Sequence, residues 1–236
     1  ALSSDGQSAL VGAADGSLIL WDMQAFQPAG QLGQGTVQIL SVAFSPDGKT
    51  ALSGGDDGKV RLWDVKQRML IGEYAGHNPG AYVWSVAFSS DGQFALSGAS
   101  DRKLMLWDVQ SGKLVHQYTG HSDEIAHVAF VPEDNITLVS ASRDRTLRIW
   151  DTQNGRQIFT DRQGTTTVRS IAITQDGKMA LSSSDDGRLV LWDIVRRVPV
   201  GEIGSYQAPI LAAAISPDNR TALVAGGTVD YSVIVW

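Results

Sequence analysis

Val60-Arg61-Leu62-Trp63-Asp64 is a short apolar run that closes on Trp-Asp, and the chain repeats it. Leu18-Ile19-Leu20-Trp21-Asp22, Leu104-Met105-Leu106-Trp107-Asp108, Leu147-Arg148-Ile149-Trp150-Asp151 and Leu189-Val190-Leu191-Trp192-Asp193 are its copies, and the chain stops on a further Trp236. The tryptophans recur every 42 to 44 residues. A fixed period of this size marks one supersecondary unit copied in tandem. Six units end near Asp22, Asp64, Asp108, Asp151, Asp193 and Trp236 across residues 1–236.

Outward from each Trp-Asp run, the turns keep step. Ser45-Pro46-Asp47-Gly48, Ser89-Ser90-Asp91-Gly92, Thr174-Gln175-Asp176-Gly177 and Ser216-Pro217-Asp218-Asn219 are tight turns by composition. Apolar runs flank them, Val42-Ala43-Phe44 before and Thr50-Ala51-Leu52-Ser53 after the first. A second turn, Asp56-Asp57-Gly58, leads into the Trp-Asp run, and Met69-Leu70-Ile71-Gly72-Glu73-Tyr74 supplies a fourth segment. Short runs rich in Val, Ile, Leu and aromatics between Gly, Asp and Pro turns read as antiparallel strands joined by hairpins. No window sustains a 3.6-residue period, so no helix is assigned. Four strands per unit around an axis predict an all-β fold, a β-propeller of four-stranded antiparallel blades.

On these residues the chain resembles the WD40 repeat family over essentially its whole length. The matching motifs are the Trp-Asp ends, Gly76-His77, Gly120-His121, and an Asp six residues before each Trp: Asp15, Asp57, Asp101, Asp144, Asp186 and Asp230. The regular repeats look most like bacterial members, which often sit beside signalling, kinase or nucleotide-driven oligomerisation domains. The family pattern implies two buried networks, His77 with Ser97, Asp101 and Trp107, and His121 with Ser140, Asp144 and Trp150. An indole N–H and an imidazole inside a blade need partners, which Asp and Ser supply. Breaking one member should cost about 1–3 kcal/mol. The alternative, His77 and His121 as catalytic bases, stands beside that structural reading.

Other units depart from the pattern. Gly33-Gln34-Gly35, Gln163-Gly164 and Ser205-Tyr206 stand where Gly-His is expected. The last unit reads Leu223-Val224-Ala225, without the serine found at Ser53, Ser97, Ser140 and Ser182. Its second turn is longer, Thr221 to Trp236 being 15 residues against 13 from Thr50 to Trp63. That unit is expected to be the least rigid. Ala1-Leu2-Ser3-Ser4-Asp5-Gly6 aligns with Ala43-Phe44-Ser45-Pro46-Asp47-Gly48, so the chain begins inside an innermost strand and ends on a third strand. Rings of the family usually have seven blades, and open sheets leave exposed edges. The expectation is a segment of a seven-bladed or larger ring, with a six-bladed ring as the alternative.

Composition bounds the chemistry. The 236 residues, 43% hydrophobic, can bury a large core. There is no cysteine, hence no disulfide and no thiolate metal site. No secretory signal and no long apolar run is present, and a cytoplasmic location is expected. The net charge of −6 is spread along the chain, with no basic cluster for nucleic acid. The four histidines lack metal-ligand spacing, no nucleophile elbow or Walker loop occurs, and no cofactor is expected. His127 replaces Ser41, Ser85 and Ser170 on an innermost strand, and with Glu124 it is the sole hint of channel catalysis. His116 is expected to be exposed on an outer strand.

What remains to carry function is surface. The resemblance places recognition on the rim where innermost strands begin. Two residues per innermost strand point there: Gln38 and Leu40, Tyr82 and Trp84, Glu124 and Ala126, Thr167 and Arg169, Pro209 and Leu211. The residue before each turn Asp joins them: Ala14, Asp56, Ser100, Arg143, Asp185 and Val229. Leu40, Tyr82, Trp84, Arg143, Arg169 and Leu211 are the expected protein-binding set, because Tyr, Trp and Arg dominate binding energy at interfaces. The alternative for Tyr82 and Trp84 is packing against a neighbouring blade. The expected function is a non-catalytic scaffold or sensor module of a larger, signalling protein, binding protein partners without nucleic acid or membrane. An architectural subunit of a large assembly, or an enzyme using the central channel, is the alternative.

Overall fold

The computed structural model describes all residues except Gln34, Glu133, 163–165, 227–232 and Trp236. Its described residues form strands and turns, with no helix. Each sheet runs antiparallel in chain order, as two-turn hairpin chemistry dictates. These sheets are the blades of a β-propeller, six in number.

The chain divides into two compact units, Ala1–Thr119 and Gly120–Trp236. The first holds three blades. Blade 1 is β1 (Ser8–Gly12), β2 (Leu18–Asp22) and β3 (Gln27–Gly33), with Leu2 bridging Ala9 before β1. Blade 2 is β4 (Ile39–Phe44), β5 (Thr50–Gly55), β6 (Lys59–Asp64) and β7 (Met69–Ala75). Blade 3 is β8 (Val83–Phe88), β9 (Phe94–Ala99), β10 (Leu104–Asp108) and β11 (Leu114–Tyr118). The second unit repeats the pattern. Blade 4 is β12 (Ile125–Phe130), β13 (Thr137–Ser142), β14 (Thr146–Asp151) and β15 (Gln157–Arg162). Blade 5 is β16 (Val168–Ile173), β17 (Met179–Ser184), β18 (Arg188–Asp193) and β19 (Val198–Ser205). Blade 6 shows β20 (Ile210–Ile215), β21 (Ala222–Gly226) and β22 (Val233–Val235).

The first turn of blades 2, 3, 5 and 6 is one local device. In blade 2 the Ser45 hydroxyl donates to Asp47 Oδ1 at 2.7 Å, and the Thr50 amide donates back to Ser45 Oγ at 3.0 Å. Ser89 with Asp91, Thr174 with Asp176 and Ser216 with Asp218 repeat it. The fourth turn residue needs a left-handed backbone, which Gly48 adopts at φ 68° and Asn219 at φ 59°. Asparagine tolerates this region better than other side-chain-bearing residues, which explains its use in blade 6.

Blade 3 buries its Trp on the outer strand of blade 2, and blade 5 buries its Trp on that of blade 4. Trp107 stacks on Tyr74 at 5.7 Å, and Trp192 meets Phe159 edge-on at 6.4 Å. Gly76 lies under Trp107, where an added Cβ would sit 2.6 Å from the indole. Leu52, Val60, Val83, Ala95, Met105 and Trp107 form the core of blades 2 and 3. Val139, Leu147, Ile149, Val168, Ile171 and Trp192 form that of blades 4 and 5. His116 departs from expectation: it is half-buried, edge-on to Tyr118 at 4.7 Å, because the ring covers its neighbour two residues along one strand face. The lengthened last turn falls on residues 227–232, outside those described.

Candidate functional site

Four blades share one buried hydrogen bond. The indole N–H of Trp63, Trp107, Trp150 and Trp192 donates to Ser53, Ser97, Ser140 and Ser182 at 2.8–2.9 Å. In blades 3 and 4 a histidine extends it. His77 Nε2 lies 2.8 Å from Ser97 Oγ, and its Nδ1 lies 3.0 Å from Asp101. His121 Nε2 lies 2.7 Å from Ser140 Oγ, and its Nδ1 lies 2.8 Å from Asp144. A carboxylate only accepts, so Nδ1 carries the proton and Nε2 takes the serine proton. The carboxylate also accepts the next backbone amide, Asn78 N–H on Asp101 and Ser122 N–H on Asp144.

Asp–His–Ser in that order is the bonding order of a nucleophilic triad. Here it is sealed. Ser97 and Ser140 are wholly buried, and each hydroxyl oxygen already accepts an indole N–H. Burial holds the His121 imidazole below its ordinary pKa, against the opposing pull of Asp144. Burial would raise Asp144, but hydrogen bonds from His121 and Thr146 bring it well below the usual carboxylate range. Both groups are thus held in the charge states that suit a fixed strut.

The sequence pattern did not reveal the rest of these networks. Thr146 donates to Asp144 at 2.6 Å, and Arg148 Nε donates to Thr146 Oγ1 at 3.2 Å. Where histidine is missing, other groups hold the turn carboxylate. In blade 2 Arg61 clamps Asp57 through both guanidinium nitrogens, at 3.3 and 2.5 Å. In blade 5 the Ser184 hydroxyl donates to Asp186 at 2.5 Å. Both blades then keep a cleft beside the indole, about 210 Å³ at Trp63 and about 220 Å³ at Trp192.

The rim is built differently. Each innermost strand from blade 2 onward carries a register shift against its neighbour, between Ile39 and Ser41, Val83 and Ser85, Ile125 and His127, Val168 and Ser170, and Ile210 and Ala212. The residue passed over is Leu40, Trp84, Ala126, Arg169 or Leu211. A bulge of this kind removes one residue from the ladder and re-aims its side chain. The same end of blades 2 to 5 is tied by a backbone bond from the turn to the residue leading the inner strand. Asp56 N–H donates to Gln38 O, Ser100 to Tyr82, Arg143 to Glu124, and Asp185 to Thr167, at 2.9–3.2 Å.

In the first unit the rim carries Leu40, half-buried, and the pair Tyr82 and Trp84, stacked at 5.2 Å and 29°. Tyr82 is 44% exposed and Trp84 is half-buried. Blades 2 and 3 are laced here by the Val86 amide on Ser41 Oγ, 3.1 Å. In the second unit Leu211 is 49% exposed. Arg169 grips Asp185 in a two-pronged bond of 2.6 and 2.9 Å, and Arg143 pairs with Glu124 at 3.5 Å. Both rim arginines thus face carboxylates of their own blade. Ser170 Oγ accepts from Ala213 N–H at 3.3 Å, lacing blades 5 and 6. His127 holds the equivalent station of blade 4. Its Nδ1 is buried without a partner, and burial lowers its pKa to about 4. Val229 and Asp230 lie outside the described residues.

Among the described residues no cluster of three or more His, Asp or Glu could hold a metal. No helix long and apolar enough to cross a membrane is present among them.

Repeated four-stranded blades with the Ser–Trp bond define a propeller of tandem units. The WD40 family model, described as WD domain, G-beta repeat, matches residues 27–64, 68–108, 112–151 and 155–193, well over half of the chain, and the chain belongs to that family. Each matched stretch runs from an outer strand to the next Trp-Asp, so every histidine network lies inside one repeat. No curated protein matches the chain. WD40 propellers generally mediate protein–protein interaction and are typically non-catalytic.

Proposed function

We propose that this chain is a non-catalytic recognition platform that takes protein partners on the bulged rim, as a scaffold or sensor module of a larger signalling protein in the cytoplasm. The observation that carries this reading is the recurrent bulge at Leu40, Trp84, Ala126, Arg169 and Leu211. A stiff scaffold that releases one side chain per blade suits loops and rims that vary without cost to the core. The sealed serine hydroxyls and the Arg143 partner of Glu124 speak against a catalytic reading.

The test is partner capture with thermal melts in parallel. Trp84→Ala should weaken capture by about 2 kcal/mol, roughly thirtyfold, as loss of an aromatic anchor does. Its melting temperature should stay near that of the parent. Arg156→Ala, away from the rim, should be silent in both. Normal melting with undiminished capture would place recognition elsewhere.

A further inference from the structure

The rim charges are unevenly satisfied. In the second unit each rim cation faces a rim anion, Arg169 with Asp185 and Arg143 with Glu124. In the first unit the single charged rim residue is Asp56, which takes part in no ion pair among the described residues. Its only bond shown is from its backbone, to Gln38. Nearby Arg61 and Lys59 are committed to Asp57 and Glu73.

Asp56 lies in the turn that meets the segment leading into the aromatic pair. Gly54 packs on Val83, where an added Cβ would lie 2.7 Å from the valine side chain. Asp57 O accepts the Gly80 amide at 3.3 Å. The chain on both sides of Asp56 therefore touches the segment that carries Tyr82 into β8. Tyr82 and Trp84 stack there, and Tyr82 keeps much of its surface in water. Aromatic faces attract a cation within about 6 Å of the ring, and the half-buried Asp56 carboxylate, in no ion pair among the described residues, adds a negative charge in the adjoining turn.

We infer that the Tyr82–Trp84 pair and the Asp56 carboxylate together receive a cationic side chain, an arginine or lysine presented by a basic peptide. This rests on the reading of the rim as the recognition face and names the partner's chemistry. The net charge of −6 also draws a basic segment toward the chain.

The experiment uses a fluorescein-labelled peptide with three arginines spaced by glycine, its citrulline counterpart, and its glutamate counterpart, with anisotropy as the readout. The arginine peptide should bind, and the other two should bind at least tenfold more weakly. Tyr82→Leu and Asp56→Asn should each weaken the arginine peptide about tenfold with unchanged melting temperature, whereas Asp5→Asn, an equal loss of charge elsewhere, should not. Binding should fall with added salt. If citrulline binds as well as arginine and still depends on Tyr82, the cation inference is overturned and the rim reading survives. If arginine binding ignores both Tyr82→Leu and Asp56→Asn, the rim of this unit is not the face and both fall. If no peptide binds at millimolar concentration, the cation inference is overturned, and the capture experiment with Trp84→Ala decides the rim.

Discussion

Blades 4 and 5 are neighbours in sequence and solve one problem in two ways. Both bury a Trp on a serine, Trp150 on Ser140 and Trp192 on Ser182. Blade 4 then spans from that serine through His121 to Asp144, and on through Thr146 to Arg148. Blade 5 stops short. Asp186 takes the Ser184 hydroxyl, its amide donates to Thr166, and a cleft of about 220 Å³ remains beside Trp192. The indole–serine bond is therefore the common minimum of blades 2 to 5, and the histidine is a tie added between loop and hairpin. A tie raises stability only while every member is satisfied, since a half-made buried network costs more than none.

The widest gap should appear at the turn carboxylate. Asp144→Ala strips the acceptor from His121, Thr146 and the Ser122 amide, and should cost about 3 kcal/mol. Asp186→Ala frees chiefly the Ser184 hydroxyl and should cost about 1 kcal/mol. Urea midpoints decide this, and equal losses would break the comparison. Next comes the serine itself. Ser140→Ala should cost about 2–3 kcal/mol by orphaning both His121 and Trp150, against about 1–2 kcal/mol for Ser182→Ala.

Acid should separate the blades as well. Burial lowers the folded pKa of His121 and takes His127 to about 4, so the neutral rings favour the folded state. Unfolded histidine binds its proton near pH 6.5. The stability these rings contribute is thus present above about pH 6.5 and is lost as pH falls from there toward the folded values, His127 alone accounting for about 2 kcal/mol at pH 4.5. Asp144, held low, joins the loss only below about pH 4. Hydrogen-exchange protection in β12–β15 should fall over that interval more than in β16–β19, which carry no histidine. His127→Asn should flatten the profile, and an unchanged profile would show that the His127 ring does not sense acid. The smallest difference lies at the surface. Arg188→Ala breaks an exposed pair with Glu202 and should cost about 0.5 kcal/mol or less in a thermal melt. Arg148→Ala, more buried and bonded to Thr146 and Gln157, should cost about 1–2 kcal/mol.

The period in tryptophan was enough to read the blades, because each turn is made by residues two to five apart. Ser45, Asp47 and Gly48 specify theirs without help from the rest of the chain. The members of each histidine network fall within one repeat, which is why the family resemblance could name them. What stayed hidden needed register. Arg61 captures Asp57 only because a hairpin turns between them, and Arg169 finds Asp185 only across β16 and β17. The bulges had no residue signature at all, for Leu, Trp, Ala, Arg and Leu occupy them in turn. Tyr82 and Leu211, expected at the rim, are exposed side chains. That Arg143 and Arg169 would be held by their own acids was not legible.

That lack of signature has a consequence for how such a chain can change. A residue lifted out of a hydrogen-bonded ladder answers neither to strand propensity nor to the cross-strand neighbour that constrains its flanks. Leucine, tryptophan, alanine and arginine sit at one backbone station in successive blades, which is a natural substitution series already carried out within a single molecule. Exchanging Ala126 for the tryptophan of blade 3, or Trp84 for the alanine of blade 4, transplants a contact from one sector to another with no new turn, strand or core. The side chain a blade presents at this station can therefore change one codon at a time, ahead of any cost in folding.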